Sequence, residues 1–198
     1  MNIFRNCPVC NCSSNTSIYN NKLAPISSIQ LSYILVACDE CGFLFADRIP
    51  DEKTYAEYYT NLSKYDVAGV KVNQIDNLRV DAGAKLVNHF VDKSAKVVDI
   101  GCGNCALLGN LKSQGYSKLI GIDPAKNCSE RAESYGIQDV YCGSIVDFNL
   151  SLVSDADVVL VMAVLEHLVT PKSSIARLVS GMRVGSRLII EVPSLALF

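Results

Sequence analysis

The stretch Val97-Val98-Asp99-Ile100-Gly101-Cys102-Gly103-Asn104-Cys105, running straight into the helix-like residues Ala106–Ser113, constrains this chain more than any other. A β-branched run suits a buried strand, the glycines a tight turn, and the residues after them a helix. Strand, glycine turn and helix in that order form a nucleotide cradle, because Gly101 and Gly103 lack the Cβ that would hold a ligand off the backbone. About twenty residues beyond the loop, the spacing of the second strand of a βαβ unit, Leu119-Ile120-Gly121-Ile122-Asp123 ends in a carboxylate able to accept both hydroxyls of a ribose. A tight turn with a surface aspartate is the plainer alternative.

From residue 94 onward short β-branched runs alternate with helical stretches, at 96–100, 119–122, 139–142, 158–162 and 187–192. Such alternation predicts a parallel sheet covered by helices, an α/β class. Gly101, Gly115, Gly121, Gly136 and Gly185 fall at the edges of those runs, where turns favour a residue tolerant of positive φ. Upstream, Leu78, Ala82, Leu86, Val87 and Phe90 recur at helical spacing over 75–91, and the polar, tyrosine-dense residues from 51 to about 65 read as a connecting segment.

Gly101-x-Gly103-x-x-Ala106 also satisfies a dinucleotide fingerprint, so NAD and S-adenosylmethionine (SAM) both fit an adenosine site. Asp99 favours SAM: a carboxylate just ahead of the glycines opposes a pyrophosphate but suits a methionyl ammonium. On these residues the chain resembles the class I SAM-dependent methyltransferases. Their first motif is matched at 97–105 and their second-strand acid at Asp123-Pro124. Gly143-Ser144-Ile145-Val146-Asp147-Phe148 is similar to the segment along the adenine, and residues 157–168 with Leu165-Glu166-His167 to the fourth-strand motif. The resemblance implies a Rossmann-like parallel sheet in which Gly101, Cys102 and Gly103 line the methionine and ribose. It likewise implies Asp123 at the ribose, Ser144 and Ile145 at the adenine edge, and Met162 or Ala163 beside the sulfonium. Cys105 stands where many members carry a third glycine, and Ser144 where many carry an aspartate. The fold usually adds two strands after the fifth, so a chain ending at Phe198 reads as truncated, with residues 195–198 on an open sheet edge that invites self-association or a partner.

Cys7-Pro8-Val9-Cys10 and Cys38-Asp39-Glu40-Cys41-Gly42 form two knuckles that offer four soft ligands, Cys7, Cys10, Cys38 and Cys41, to one tetrahedral zinc. Redox disulfides are the other reading, and Cys12 is a spare thiol. A ribbon this small needs metal for much of its folding free energy. The chain thus divides into a zinc ribbon at 1–50, the connecting segment at 51–75 and the cofactor-binding core at 76–198. Ribbon, Gly42-Phe43-Leu44, tyrosine-rich segment and core together resemble the bacterial nucleotide-sugar C-methyltransferases. That likeness implies a small-molecule acceptor, most plausibly a nucleotide-linked sugar, with a tyrosine ahead of the core (Tyr58, Tyr59 or Tyr65) in the chemistry. His167, after the fourth strand near its carboxyl edge, is a candidate proton acceptor beside Tyr59, with packing or capping as its alternative. His89, Cys102, Cys128 and Cys142 read as packing residues.

Composition narrows the classes left. Eighteen Lys and Arg against twenty Asp and Glu, without a long run of either sign, argue against nucleic acid as a partner. No stretch approaches the roughly 20 apolar residues of a membrane span, and residues 1–5 lack a signal-peptide core, so the expected setting is cytoplasmic. Apart from methyl transfer, two readings stay open: an NAD-dependent oxidoreductase and a non-catalytic binding module.

Overall fold

The computed structural model describes residues 2–62 and 74–193. The N-terminal part consists of β1 (Asn2–Ile3), β2 (Asn15–Asn21), β3 (Tyr33–Cys38), β4 (Leu44–Asp47) and β5 (Ile49–Pro50). β2, β3 and β4 make an antiparallel sheet in that order, and β1 pairs with β5. Its core is small, with Val36 and Phe45 packed on Cys7 and Cys38. Far from being mere connection, the tyrosine-rich segment then folds as helix α1 (Glu52–Asn61). Asp51 starts it by accepting the Thr54 N–H, an N-cap that the expected loop overlooked.

The larger part contains α2 (Gln74–Phe90), β6 (Lys96–Ile100), α3 (Ala106–Ser113), β7 (Lys118–Asp123), α4 (Cys128–Ser134), β8 (Val140–Cys142), β9 (Val158–Met162), α5 (Pro171–Gly181) and β10 (Arg187–Glu191). The strands form a five-stranded sheet in the order β10-β9-β6-β7-β8, all parallel. Alternate residues of the central strands feed two cores, because the pleat sends neighbours to opposite faces. Val97, Val158 and Leu160 join Val87, Leu108 and Leu111 on one side, while Val98, Val159 and Val161 join Ile145, Phe148 and Leu178 on the other.

The glycines divide by cause. Gly101, Gly115, Gly136 and Gly185 have positive φ as expected, but Gly121 lies inside β7 and does not. A Cβ there would come within 2.9 Å of Cys102 Sγ and 3.1 Å of Leu108, so that position is small to admit the loop packed over it. Cys142, expected to be buried, is exposed. Among the described residues β10 and β8 are the sheet's edges; residues 195–198, the expected open-edge segment, and Tyr65 lie outside the described residues.

Candidate functional site

The loop after β6 is tied down from below. Gly101 and Cys102 both donate their backbone N–H to Ile122 O, at 2.7 and 3.2 Å. Gly101 sits at φ +80°, and a Cβ on it would meet Val164 Cγ2 at 2.3 Å. The glycine is therefore required first by this close approach of the chain's own side chain, a reason separate from ligand approach. Cys105 holds φ +60° without being glycine and packs its thiol 3.6 Å from Cys102 Sγ, fully buried.

A cleft of about 100 Å3 opens above this loop, at the carboxyl end of the sheet. Asp99, Gly101, Cys102, Gly103, Met162 and Ala163 line it, so most of the residues expected at a cofactor converge there. Asp99 is 3% exposed, and its Oδ1 is buried without a hydrogen-bond partner. Burial, and then the nearby charge of Asp123, pushes its carboxyl up to about 7. Asp123 supports the loop directly: its Oδ2 accepts the Gly103 N–H at 2.8 Å and its Oδ1 the Ala125 N–H at 2.9 Å. Asp123, Ser144 and Ile145 are outside the cleft lining, as are Tyr59 and His167. Ser144 binds Asp147 Oδ1 through its N–H and hydroxyl, at 2.8 and 3.1 Å, and Ile145 packs into the core.

The lining also takes in Arg79, which lies outside the motifs, and Glu191, which falls in the expected strand run at 187–192. Arg79 of α2 and Glu191 at the end of β10 form an ion pair at 3.4 Å, and Glu191 Oε2 is buried without a partner. Glu191 could have been suspected, since strand carboxyl ends bear ligand sites in open α/β sheets. Arg79 could not, because only the packing of α2 brings that face to the cleft.

His167 closes a short helical turn, Leu165–His167, after β9. Its ring lies 5.5 Å from that of Tyr59, which packs against Tyr58 at 4.9 Å and Tyr55 at 6.3 Å. The structure thus brings Tyr59 and His167 together. Although 47% of the His167 side chain is open to solvent, crowding on its other side lowers the pKa, aided by Arg79. Burial raises the carboxyl of the neighbouring Glu166.

The sulfurs of Cys7, Cys10, Cys38 and Cys41 lie within 4.8 Å of one another. Each knuckle turns through a left-handed residue, Gly42 at φ +71° in the second and Asn11 at φ +65° in the first. Asn11 and Gly42 donate their N–H to Cys7 O and Cys38 O, both at 2.9 Å, so the two turns are equivalent. Asn is the residue besides glycine most at ease there, which hides the match from a glycine search. The backbone N–H of Cys41, and then that of Glu40, lower the Cys38 thiol to about 6 despite some desolvation. Cys12 stays outside this group, with Ser14 N–H donating to its sulfur.

Among known proteins, residues 98–190 match the family described as "Methyltransferase domain". No curated protein matches the chain. Among solved structures, magnesium protoporphyrin IX methyltransferase (ChlM) from Synechocystis PCC 6803 with bound SAH aligns at TM-score 0.53 and 19% identity over 67% of this chain and 68% of that one. The cyclase SpnF aligns at TM-score 0.52 and 16% identity, over 67% and 49%. Plantazolicin methyltransferase BpumL in complex with SAH gives TM-score 0.47 and 22% identity over 57% of this chain, which spans only 44% of that protein's length. The core of this chain carries the class I methyltransferase fold.

Proposed function

We propose that this chain is a SAM-dependent methyltransferase acting on a small-molecule acceptor. The observation that carries the reading is the unpartnered Oδ1 of Asp99, buried in the cleft floor beside two left-handed glycines. An orphaned buried carboxyl oxygen calls for a donor, and the α-ammonium of a methionyl tail supplies both donor and counter-charge. A pyrophosphate in that place would meet like charge, which argues against NAD. Asp123 accepts the N–H of Gly103 and that of Ala125, which sets its carboxylate at the end of β7, where the proposal places a ribose diol.

SAM brings a methyl group already activated on a sulfonium. What the chain must do is orient the acceptor, exclude water and receive the proton an acceptor carbon or heteroatom gives up. His167 is suited to that last task, because its lowered pKa leaves the imidazole neutral near pH 7. Tyr59 packs on the ring that would act.

The finer parts are a nucleotide-linked sugar as acceptor, from the resemblance to nucleotide-sugar C-methyltransferases, Ser144 and Ile145 at the adenine edge, from the resemblance to class I methyltransferases, and the division into 1–50, 51–75 and 76–198, from composition and motifs. Zinc belongs with them. Four thiols in mutual reach, one already low in pKa, fit a tetrahedral ion, which Cys7, Cys10, Cys38 and Cys41 would hold for structure. Among the described residues no helix is long and apolar enough to cross a membrane. Calorimetric titration with SAM, SAH and NAD tests the reading. Micromolar SAH binding, weakened in Asp99→Asn, is expected; binding of NAD with no response to SAM or SAH would reject it.

A further inference from the structure

The cysteine ribbon grips the chain that follows His167. Arg5 lies on the ribbon side, where its backbone N–H donates to Asp47 Oδ1 at 2.9 Å and its Nε to Ala46 O at 2.8 Å. Its Nη1 reaches across to the core and donates to two successive carbonyls, Leu168 O at 3.1 Å and Val169 O at 2.8 Å. The guanidinium also lies 5.5 Å from the ring of Phe45, a buried ribbon residue. The next residues of the same segment are held too. Thr170 Oγ1 donates to Glu52 Oε1 at 3.1 Å, and Lys172 Nζ to Val9 O, inside the first knuckle, at 3.1 Å.

We infer that Arg5 is a positioning residue, anchored in the ribbon, whose three-way fork fixes residues 168–169 and thereby sets the His167 imidazole beside Tyr59. This rests on reading His167 as an acceptor-side group. Leu168 is the residue at which the turn bearing His167 opens into extended chain, at φ −90° and ψ 137°. Its carbonyl and the next one have left the helical ladder and need donors, so whatever supplies them decides the direction of the turn. A guanidinium does this with fixed geometry, whereas an ammonium is a single point that cannot hold Ala46 O through one nitrogen and the two core carbonyls through another. The Lys172 contact is exposed and contributes less. Asp99, Gly103 and Asp123 stand on β6, the loop after it and β7, whereas Arg5 binds the chain that follows the turn at 165–167. Acceptor-side geometry and cofactor binding should therefore respond to Arg5 separately.

The chain has only two histidines, so imidazole NMR titration reads His167 directly, with the exposed His89 as reference. In the Arg5→Ala and Arg5→Lys variants of this chain, the His167 midpoint should rise toward the ordinary value of about 6.5 as the turn loosens. Arg5→Lys keeps the charge, so a shift common to both variants reports the lost fork and not a removed cation. The SAH dissociation constant should change less than about twofold, some 0.4 kcal/mol. An unmoved His167 midpoint in Arg5→Lys, or SAH affinity falling in step with the shift, would overturn the inference; should Arg5→Ala not fold, Arg5→Lys decides alone. Failure of the wild-type chain to bind SAH would instead reject the proposed function and leave the His167 titration to judge Arg5.

Discussion

Asp99 is held in an environment hostile to its charge, and that has consequences for stability and for binding. Its carboxyl stands at about 7 in the folded chain against an ordinary value of 3.8, so between those pH values the folded state binds more protons than the unfolded one. Its contribution to stability is thus greatest below about pH 4, declines as pH rises to about 7 and is flat above. Urea unfolding against pH should show this decline in the wild type and lose it in Asp99→Asn. A bound ammonium reverses the sign, since it favours the carboxylate. SAH affinity should then rise with pH up to about 7, with proton release visible as buffer-dependent heat, and Asp99→Asn should weaken binding by roughly 10- to 100-fold. Gly101 makes a second test. Gly101→Ala meets both the left-handed φ and Val164 Cγ2, and should cost about 2–4 kcal/mol. Adding Val164→Ala should recover about 1 kcal/mol or more in a double-mutant cycle, the remainder being backbone strain. The sequence marked Gly101 as special, but it was silent on Val164, because a contact between residues so far apart in the chain leaves no local pattern.

At the scale of elements, the two cysteine knuckles and the helices around the cleft behave differently. The ribbon sheet β2-β3-β4 buries few apolar side chains, so closing its turns depends on the four sulfurs. Cys38→Ser should abolish stoichiometric zinc in mass or atomic-absorption measurements and loosen the ribbon, with SAH still bound by the core. Tyr55, Tyr58 and Tyr59 keep helical spacing, but the rest of helix α1 is polar and none of its residues is buried, so the segment read as a connection. What forms it is the Asp51 cap, together with the ring contacts of Tyr59 against His167. By contrast, the strands at 96–100 and 158–162 were legible to the residue, since a strand buried on both faces must be apolar almost throughout.

For the whole molecule, the core around Cys7 and Cys38 is a cluster separate from the two that flank the five-stranded sheet, and on the proposed division into ribbon and core, unfolding should not be two-state. Heating with a chelator should remove an early transition belonging to the ribbon. Saturating SAH should raise only the later one, by about 2.7 kcal/mol at a hundred times its dissociation constant. A single transition that responds equally to chelator and SAH would contradict this division. The cleft itself exists only at this scale, for α2 supplies Arg79, β6 Asp99, β9 Met162 and β10 Glu191.

By itself the sequence determined the parallel sheet, its order of strand and helix, the glycine loop with Asp99 and Asp123, and the four-cysteine group. Each of these is written in short-range terms: the pleat repeats every two residues, a loop needs glycine in place, and a knuckle needs its cysteines three apart. Tertiary structure alone decided that Asp99 Oδ1 would have no partner, that Arg79 and Glu191 would face one another, that Ile145 would turn into the core, and that Arg5 would reach residues 168 and 169. The reason is physical. Burial, an orphaned oxygen and a hydrogen bond across 164 positions are properties of how elements pack, and local residue preferences carry no record of them.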